Sequence, residues 1–224
     1  WSRLGGGTEE AVRTKHLWAR RYNVYYARSD DGGDTWRRSD GSAYELPITE
    51  ETAEQVYNSG EHGTWLKDIL ITREGYPLVL FLDGDADTYR STWKIARGTG
   101  AGWHIADLTT SDHMYDGGAF CAVGRNDIRL YGPSAPAQPG CDGGNIEEWQ
   151  STDGGETWNK LRTLTRGADR SHNHVKTVRN HELSDGQFRV MWSCGDGQSP
   201  PGDKEVTLQY FGEGMDAPRQ IEVS

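Results

Sequence analysis

Ser29-Asp30-Asp31-Gly32-Gly33-Asp34-Thr35-Trp36 and Ser151-Thr152-Asp153-Gly154-Gly155-Glu156-Thr157-Trp158 are two copies of one string, S-x-D-G-G-[D/E]-T-W. So specific a repeat within 224 residues is not chance. The string has a physical logic. A short Asp side chain accepts hydrogen bonds from the backbone N–H groups that follow it, which closes a turn. The Gly pair allows the positive φ that such a reversal needs. Thr then starts a new strand, and Trp folds back as an apolar plug. Asp31, Gly33 and Trp36 in the first copy, and Asp153, Gly155 and Trp158 in the second, are therefore read as structural turn residues.

Composition points the same way. Gly is 29 of the 224 residues, Trp 9 and Phe only 4. Gly-rich turns with Trp and Tyr on short strands suggest an all-β chain. A net charge of −10 disfavours nucleic acid as a partner. An anionic polysaccharide or oligosaccharide remains open if a basic cleft exists locally. No apolar run reaches membrane-spanning length, so membrane insertion is not expected. The chain starts Trp1-Ser2-Arg3-Leu4, with neither an initiator Met nor a signal peptide. Either processing removed them or the chain is part of a longer polypeptide. Cys121, Cys141 and Cys194 are too few for a disulfide scaffold; one bridge with a free thiol and three reduced thiols are both open.

Trp recurs at what read as equivalent strand starts: Trp1, Trp36, Trp103 and Trp158. The later intervals approach the roughly 40–50 residues of common propeller blades, with room for loops. The first is shorter, so Trp1 reads as the outer strand of a blade whose remainder is missing. Strands are expected at His16–Arg20, Val24–Arg28, Leu66–Thr72, Pro77–Leu82, Thr92–Arg97, Ala119–Val123, Ile128–Gly132, Ile146–Gln150, Val175–Val178, Phe188–Trp192, Val206–Phe211 and Gln220–Val223. Tight turns are expected at Arg73–Tyr76 and Ser184–Gln187. One helix-like stretch, Thr49–Val56, is acidic at its start, as helix N-termini prefer. The fold expected is a single all-β propeller domain over 1–224 with about four blades of four strands. Its units end near 40, 108, 164 and 224. The alternatives are the C-terminal part of a larger ring and a closed four-bladed ring.

The repeated string resembles the Asp box of the sialidase-like BNR-repeat propellers. Further stretches resemble one branch of that family: Tyr22–Ser29 running into the first copy, Leu46–Thr49, Asp112–Gly118, Gly143–Trp149, Asn173–Lys176 and Met191–Gly197. That branch includes ulvan lyases and lyases that cut rhamnose–glucuronate linkages. The resemblance implies a seven-bladed ring and cleavage of a uronic-acid glycan by β-elimination, in a secreted or periplasmic protein. It also implies that the family's catalytic His, Tyr and Arg lie in blades upstream of the segment like Tyr22–Trp36. Sialidases are more distant by fold, and the F/Y-R-I-P segment that they carry is absent here. A non-catalytic glycan-binding propeller and a sialidase-type hydrolase are the alternative readings.

β-Elimination needs a cation to neutralise the uronate, a base for the C5 proton and an acid for the leaving oxygen. Three clusters at unit starts supply such groups. In Ser171-His172-Asn173-His174-Val175-Lys176, strand alternation would put His172, His174 and Lys176 on one face. In His113-Met114-Tyr115-Asp116-Gly117-Gly118, Tyr115 could act on a proton, Asp116 could orient a His, and the Gly pair suggests close backbone approach or a tight bend. His62 lies in a loop between Gly60 and Gly63. His113, Tyr115 and His174 are the expected catalytic residues; His62, Arg20, His172 and Lys176 are the expected substrate-binding ones. No cofactor is demanded by these residues. A structural calcium or zinc ion is an open option, since His-x-His has metal-ligand spacing. Asp83-Gly84-Asp85-Ala86-Asp87 spaces oxygens like a calcium loop but lacks the Gly and terminal Glu of an EF-hand, so it reads first as an acidic turn. Glu147-Glu148 gives no acid/base pair from sequence. There is no G-x-S-x-G elbow, P-loop or dinucleotide fingerprint.

Overall fold

The computed structural model describes residues 1, 3–4, 21–85, 88, 90–136, 143–166, 170–179, 188–195 and 206–221. The expected strand His16–Arg20 with its Arg20, the turn Ser184–Gln187, Cys141 and Asp87 lie outside the described residues.

The chain is all-β. Three sheets have four antiparallel strands each, in simple sequential order. The first holds β5 (Gly63–Ile71), β6 (Pro77–Gly84), β7 (Ser91–Gly98) and β8 (Trp103–Ser111). The next holds β9 (Ala119–Ala122), β10 (Ile128–Ser134), β11 (Asn145–Ser151) and β12 (Asn159–Thr163). The last holds β13 (Ser171–Thr177), β14 (Phe188–Gly195), β15 (Thr207–Gly212) and β16 (Arg219–Gln220). Ahead of them, β1 (Arg3–Leu4) pairs with β2 (Arg21–Tyr22), and β3 (Val24–Tyr26) pairs with β4 (Glu54–Tyr57). The strands that open the three full sheets adjoin in order, β5 beside β9 and β9 beside β13, so each sheet is a blade with its first strand innermost.

The blades are glued face to face, and the sequence alternation says how. In β6, Leu78, Leu80 and Leu82 point toward the following blade and meet Phe120, Ile128 and Leu130. Val79 and Phe81, between them, point the other way and meet Val24, Tyr26 and Val56. A strand apolar on both faces is what a central position demands. Further on, Ala119, Tyr131 and Ile146 meet Val175, Val190, Trp192 and Phe211. Removing apolar surface from water stabilises by about 25 cal/mol per Å², so these three interfaces form the core.

Two expectations need correction. Thr49–Val56 is not a helix. One turn forms, with the Ala53 N–H on the Thr49 carbonyl, and the chain then enters β4. Glu54 is drawn out of any helix because its carboxylate accepts from the Ser39 N–H and the Trp103 indole, while β4 pairs with β3. Nor is Trp1 an outer strand. Its backbone exchanges hydrogen bonds with Tyr25 on one side of β3, whereas Tyr25 pairs with Gln55 on the other. The first repeated string follows β3 as the second follows β11, so Trp1 takes the inner position that β10 holds beside β11.

Candidate functional site

Antiparallel blades have two ends. At one lie the turns between first and second strands and between third and fourth. Here the β5–β6, β9–β10 and β11–β12 turns meet. Gly154 donates to the Asn126 carbonyl at 3.1 Å, Arg125 pairs with Glu74 at 3.4 Å, and Arg97 Nε donates to the Gly154 carbonyl at 3.0 Å. The repeated strings close as expected. Asp153 Oδ1 accepts from Ser151 Oγ, Glu156 N and Thr157 N, and its Oδ2 from Thr157 Oγ1. Asp31 repeats the pattern with Ser29 and Thr35. Both Trp indoles fold back onto a Gly carbonyl, Trp36 onto Gly33 and Trp158 onto Gly155.

The candidate residues lie at the opposite end. The β8–β9 loop, the end of the β10–β11 loop and the start of β13 form one assembly. The buried Asp116 carboxylate accepts from Ser111 Oγ at 2.6 Å and from the Gly143 N–H at 2.6 Å. Gly144 donates to the His172 carbonyl. Buried Asn173 ties the two clusters together: its Oδ1 accepts from the N–H groups of Gly117 and His174, both at 2.7 Å, and its Nδ2 reaches the Tyr115 carbonyl at 3.4 Å. The Gly pair has the expected close approach. A Cβ on Gly117 would sit 3.2 Å from His174 Cα, and one on Gly118 would strike the Trp93 ring at 2.9 Å.

On that frame the side chains separate into distinct roles. His113 and Tyr115 pack with ring centroids 5.2 Å apart, and Tyr115 is exposed. The Tyr115 N–H donates to His113 Nδ1 at 3.1 Å, which leaves the proton of neutral His113 on Nε2. Lys67 brings a cation to this loop, its Nζ donating to the Met114 carbonyl at 2.5 Å. His174 is exposed with φ 57°. Lys176 is also exposed.

His172 departs from the alternation expected for this strand. It is buried, and its Nδ1 accepts from the Trp192 indole at 3.2 Å. A bulge between Asn173 and Lys176 breaks the period of two, so His172 and His174 do not share a surface. His62 joins a different group. Its Nδ1 lies 3.5 Å from Asp83 Oδ2, which also accepts from the Tyr57 hydroxyl at 2.9 Å. Burial, reinforced by the Asp83 bond, pushes the Tyr57 phenol well above its ordinary range, so it stays a donor. With Asp83 held on this strand end, the acidic stretch starts as a buried strand terminus. Among the described residues no three His, Cys, Asp or Glu side chains gather as a metal site. Cys121 and Cys194 are buried, and burial pushes the Cys121 thiol up to about 11.

Sequence reasoning gave no role to Lys67 or Asn173. Lys67 had a signal, since it stands with Asp68 as the polar interruption of the otherwise apolar Trp65–Leu70 run. Asn173 had none, because its partners Gly117 and Tyr115 come from 56 and 58 positions away.

Residues 12–111 match the sequence model of a family described as "BNR repeat-containing family member". No curated protein matches the sequence significantly. Among solved structures, an ulvan lyase of a new polysaccharide lyase family, bound to -[GlcA(1-4)Rha3S]-, superposes with a TM-score of 0.68 at 18% identity, over 91% of this chain and 45% of that one. A second ulvan lyase structure of a new polysaccharide lyase family gives 0.66 at 17% identity over the same shares. An α-L-arabinofuranosidase of Fusarium graminearum with arabinobiose aligns at 0.48 and 15% identity, over 89% of this chain and 59% of that one. The chain thus spans less than half the length of the ulvan lyase that it matches. Its repeated turns, its stacked four-stranded sheets and the ulvan lyase superpositions agree: the chain folds as blades of a β-propeller, resembles ulvan lyase in fold and is similar over residues 12–111 to the BNR repeat-containing family.

Proposed function

We propose that this chain is part of a carbohydrate-active propeller, secreted or periplasmic, that takes an acidic, uronic-acid-containing glycan and cleaves it by β-elimination. The repeated strings are its Asp boxes, which serve architecture alone. One observation carries the reading: His113, Tyr115 and His174 are tied together through Asn173 at the blade end opposite the Asp boxes. The fold likeness to a lyase solved with a glucuronate-containing ligand supports it. Lys67 and Lys176 supply cations for a carboxylate, and Tyr115, half-buried His113 and exposed His174 supply proton carriers. His62, beside Asp83, extends the contact surface along the preceding blade.

The test is incubation with a panel of uronic-acid polysaccharides, followed in the far ultraviolet for the unsaturated uronate that elimination produces. Tyr115→Phe and His174→Ala are expected to slow cleavage by about 10²-fold or more. Glycan retained on the protein without new absorbance would make it a binding module instead. Neither retention nor absorbance with any uronic glycan sinks the reading.

A further inference from the structure

His174 stands in a conformation that a non-glycine residue rarely adopts. Its φ of 57° lies in the left-handed region, inside the β13 bulge. The surroundings hold it there. The Asn173 side chain captures its N–H at 2.7 Å, and the bare Cα face of Gly117 packs against its backbone. The result turns the imidazole outward while Asn173 and Val175, on either side, stay buried.

The second half of the device is across the sheet. His174 Nδ1 lies 2.9 Å from Ser193 Oγ, and Ser193 Oγ lies 3.0 Å from the Asn173 carbonyl oxygen. A serine hydroxyl has one proton to give. Were that proton given to His174, two oxygens would face each other at 3.0 Å with lone pairs opposed and no proton between them. The hydroxyl therefore donates to the Asn173 carbonyl, and its own lone pair accepts from His174. That requires the neutral imidazole to carry its proton on Nδ1. Nε2 is then a bare acceptor, with no hydrogen bond among the described residues, on an exposed side chain.

We propose that Ser193 is a positioning residue that locks His174 as the Nδ1–H tautomer and so presents an Nε2 lone pair to a hydrogen-bond donor of the ligand, a sugar hydroxyl in the first instance. The ligand class rests on the glycan reading above; the tautomer does not. His113 has the opposite arrangement, since its Nδ1 accepts from the Tyr115 N–H and its neutral proton is on Nε2. The two histidines are thus sorted into opposite tautomers, by a backbone amide in one case and a serine hydroxyl in the other.

The test is ¹⁵N NMR of the ring nitrogens in labelled protein without glycan, at about pH 8, where histidine is ordinarily neutral. The His174 signal is assigned by its loss in His174→Asn. The wild type is expected to show the two-bond proton–nitrogen pattern of Nδ1–H. Ser193→Ala should shift His174 toward Nε2–H, and Ser193→Thr, which keeps the hydroxyl, should restore Nδ1–H. A wild-type His174 in the Nε2–H form, or a Ser193→Ala protein with an unchanged pattern, overturns the proposal. The wild-type measurement alone decides it if Ser193→Ala fails to fold. Neither glycan retention nor cleavage alongside an Nδ1–H His174 refutes the glycan reading and leaves this inference standing. Cleavage by a protein whose His174 is Nε2–H does the reverse.

Discussion

Asp153 concentrates four donors on two carboxylate oxygens: Ser151 Oγ at 2.7 Å, Glu156 N and Thr157 N at 3.0 Å, and Thr157 Oγ1 at 2.5 Å. Burial alone would raise its carboxyl, but the bonds from Thr157, Ser151 and Glu156 outweigh it and hold the group at about 2, against 3.8 for a free side chain. A folded-state value below the unfolded one means that the ionised form stabilises the fold. That contribution is complete above 3.8 and is lost as pH falls toward and through about 2. Asp153→Asn should therefore cost about 1 kcal/mol at neutral pH, a figure kept low because the turn faces solvent. In urea unfolding the gap to wild type should shrink across the window from 3.8 to about 2. A gap that stays constant would show that charge does not close the turn. Residues of this kind are legible in sequence because their partners are within four positions. His172 was not, because the Trp192 indole that occupies it comes from 20 positions along the chain.

The two strings are equal as sequences but not as elements, because what packs on them differs. Gly33 and Gly155 hold the same place in the motif, and both have positive φ, 105° and 91°. A Cβ on Gly33 would find only the Trp36 ring, at 3.9 Å. One on Gly155 would strike Leu78 at 2.7 and 2.9 Å, and Leu78 is fully buried in the core of the neighbouring blade. Gly33→Ala should cost about 1–2 kcal/mol, the backbone strain alone. Gly155→Ala should add overpacking and cost about 3 kcal/mol or more. Thermal unfolding of the two variants compares them directly, and equal losses would refute the asymmetry. The same distinction sets what could be read beforehand. Strands such as Pro77–Gly84 and Phe188–Gly195 declare themselves by apolar runs between turn residues. The stretch Thr49–Val56 misleads, since its acidic start matches a helix while Glu54 is claimed by Ser39 and Trp103, which no local pattern reveals. The clusters at 113–118 and 171–176 come together through Asn173 while His62 stands apart, and the bulge that separates His172 from His174 was not legible, because bulges arise from pairing.

At the scale of the molecule the blades are held by apolar interfaces, with one buried charge network set between the last two. Glu148, on β11, is fully buried. It accepts from the Tyr131 hydroxyl at 2.8 Å and Arg162 Nε at 2.5 Å, with guanidinium nitrogens of Arg129 and Arg189 both at 3.9 Å. Arg189 belongs to β14, so the network crosses from one blade to the next, and Arg162 also lies over the Phe211 ring of β15 at 4.7 Å. Burial, followed by the Glu148 charge, pushes the Tyr131 phenol far above its ordinary range and keeps it a donor. Removing the carboxylate charge strands buried cations, a loss that is typically about 3–5 kcal/mol. Arg129 retains Asp127 and Arg189 retains Glu213, which places the expected cost of Glu148→Gln at the lower end of that range, about 3 kcal/mol. The exposed counterpart is Asp107, paired with Lys94 at 2.5 Å within one blade and 65% exposed, where Asp107→Asn should change stability by less than about 1 kcal/mol. The location of the loss matters as much as its size. Glu148→Gln should speed amide exchange across β13–β15 while leaving β5–β8 near wild type, because the joint that it weakens is the one between the last two blades. Uniform acceleration, or a cost no larger than that of Asp107→Asn, would show that the apolar contacts of Tyr131, Ile146, Trp192 and Phe211 hold this joint unaided.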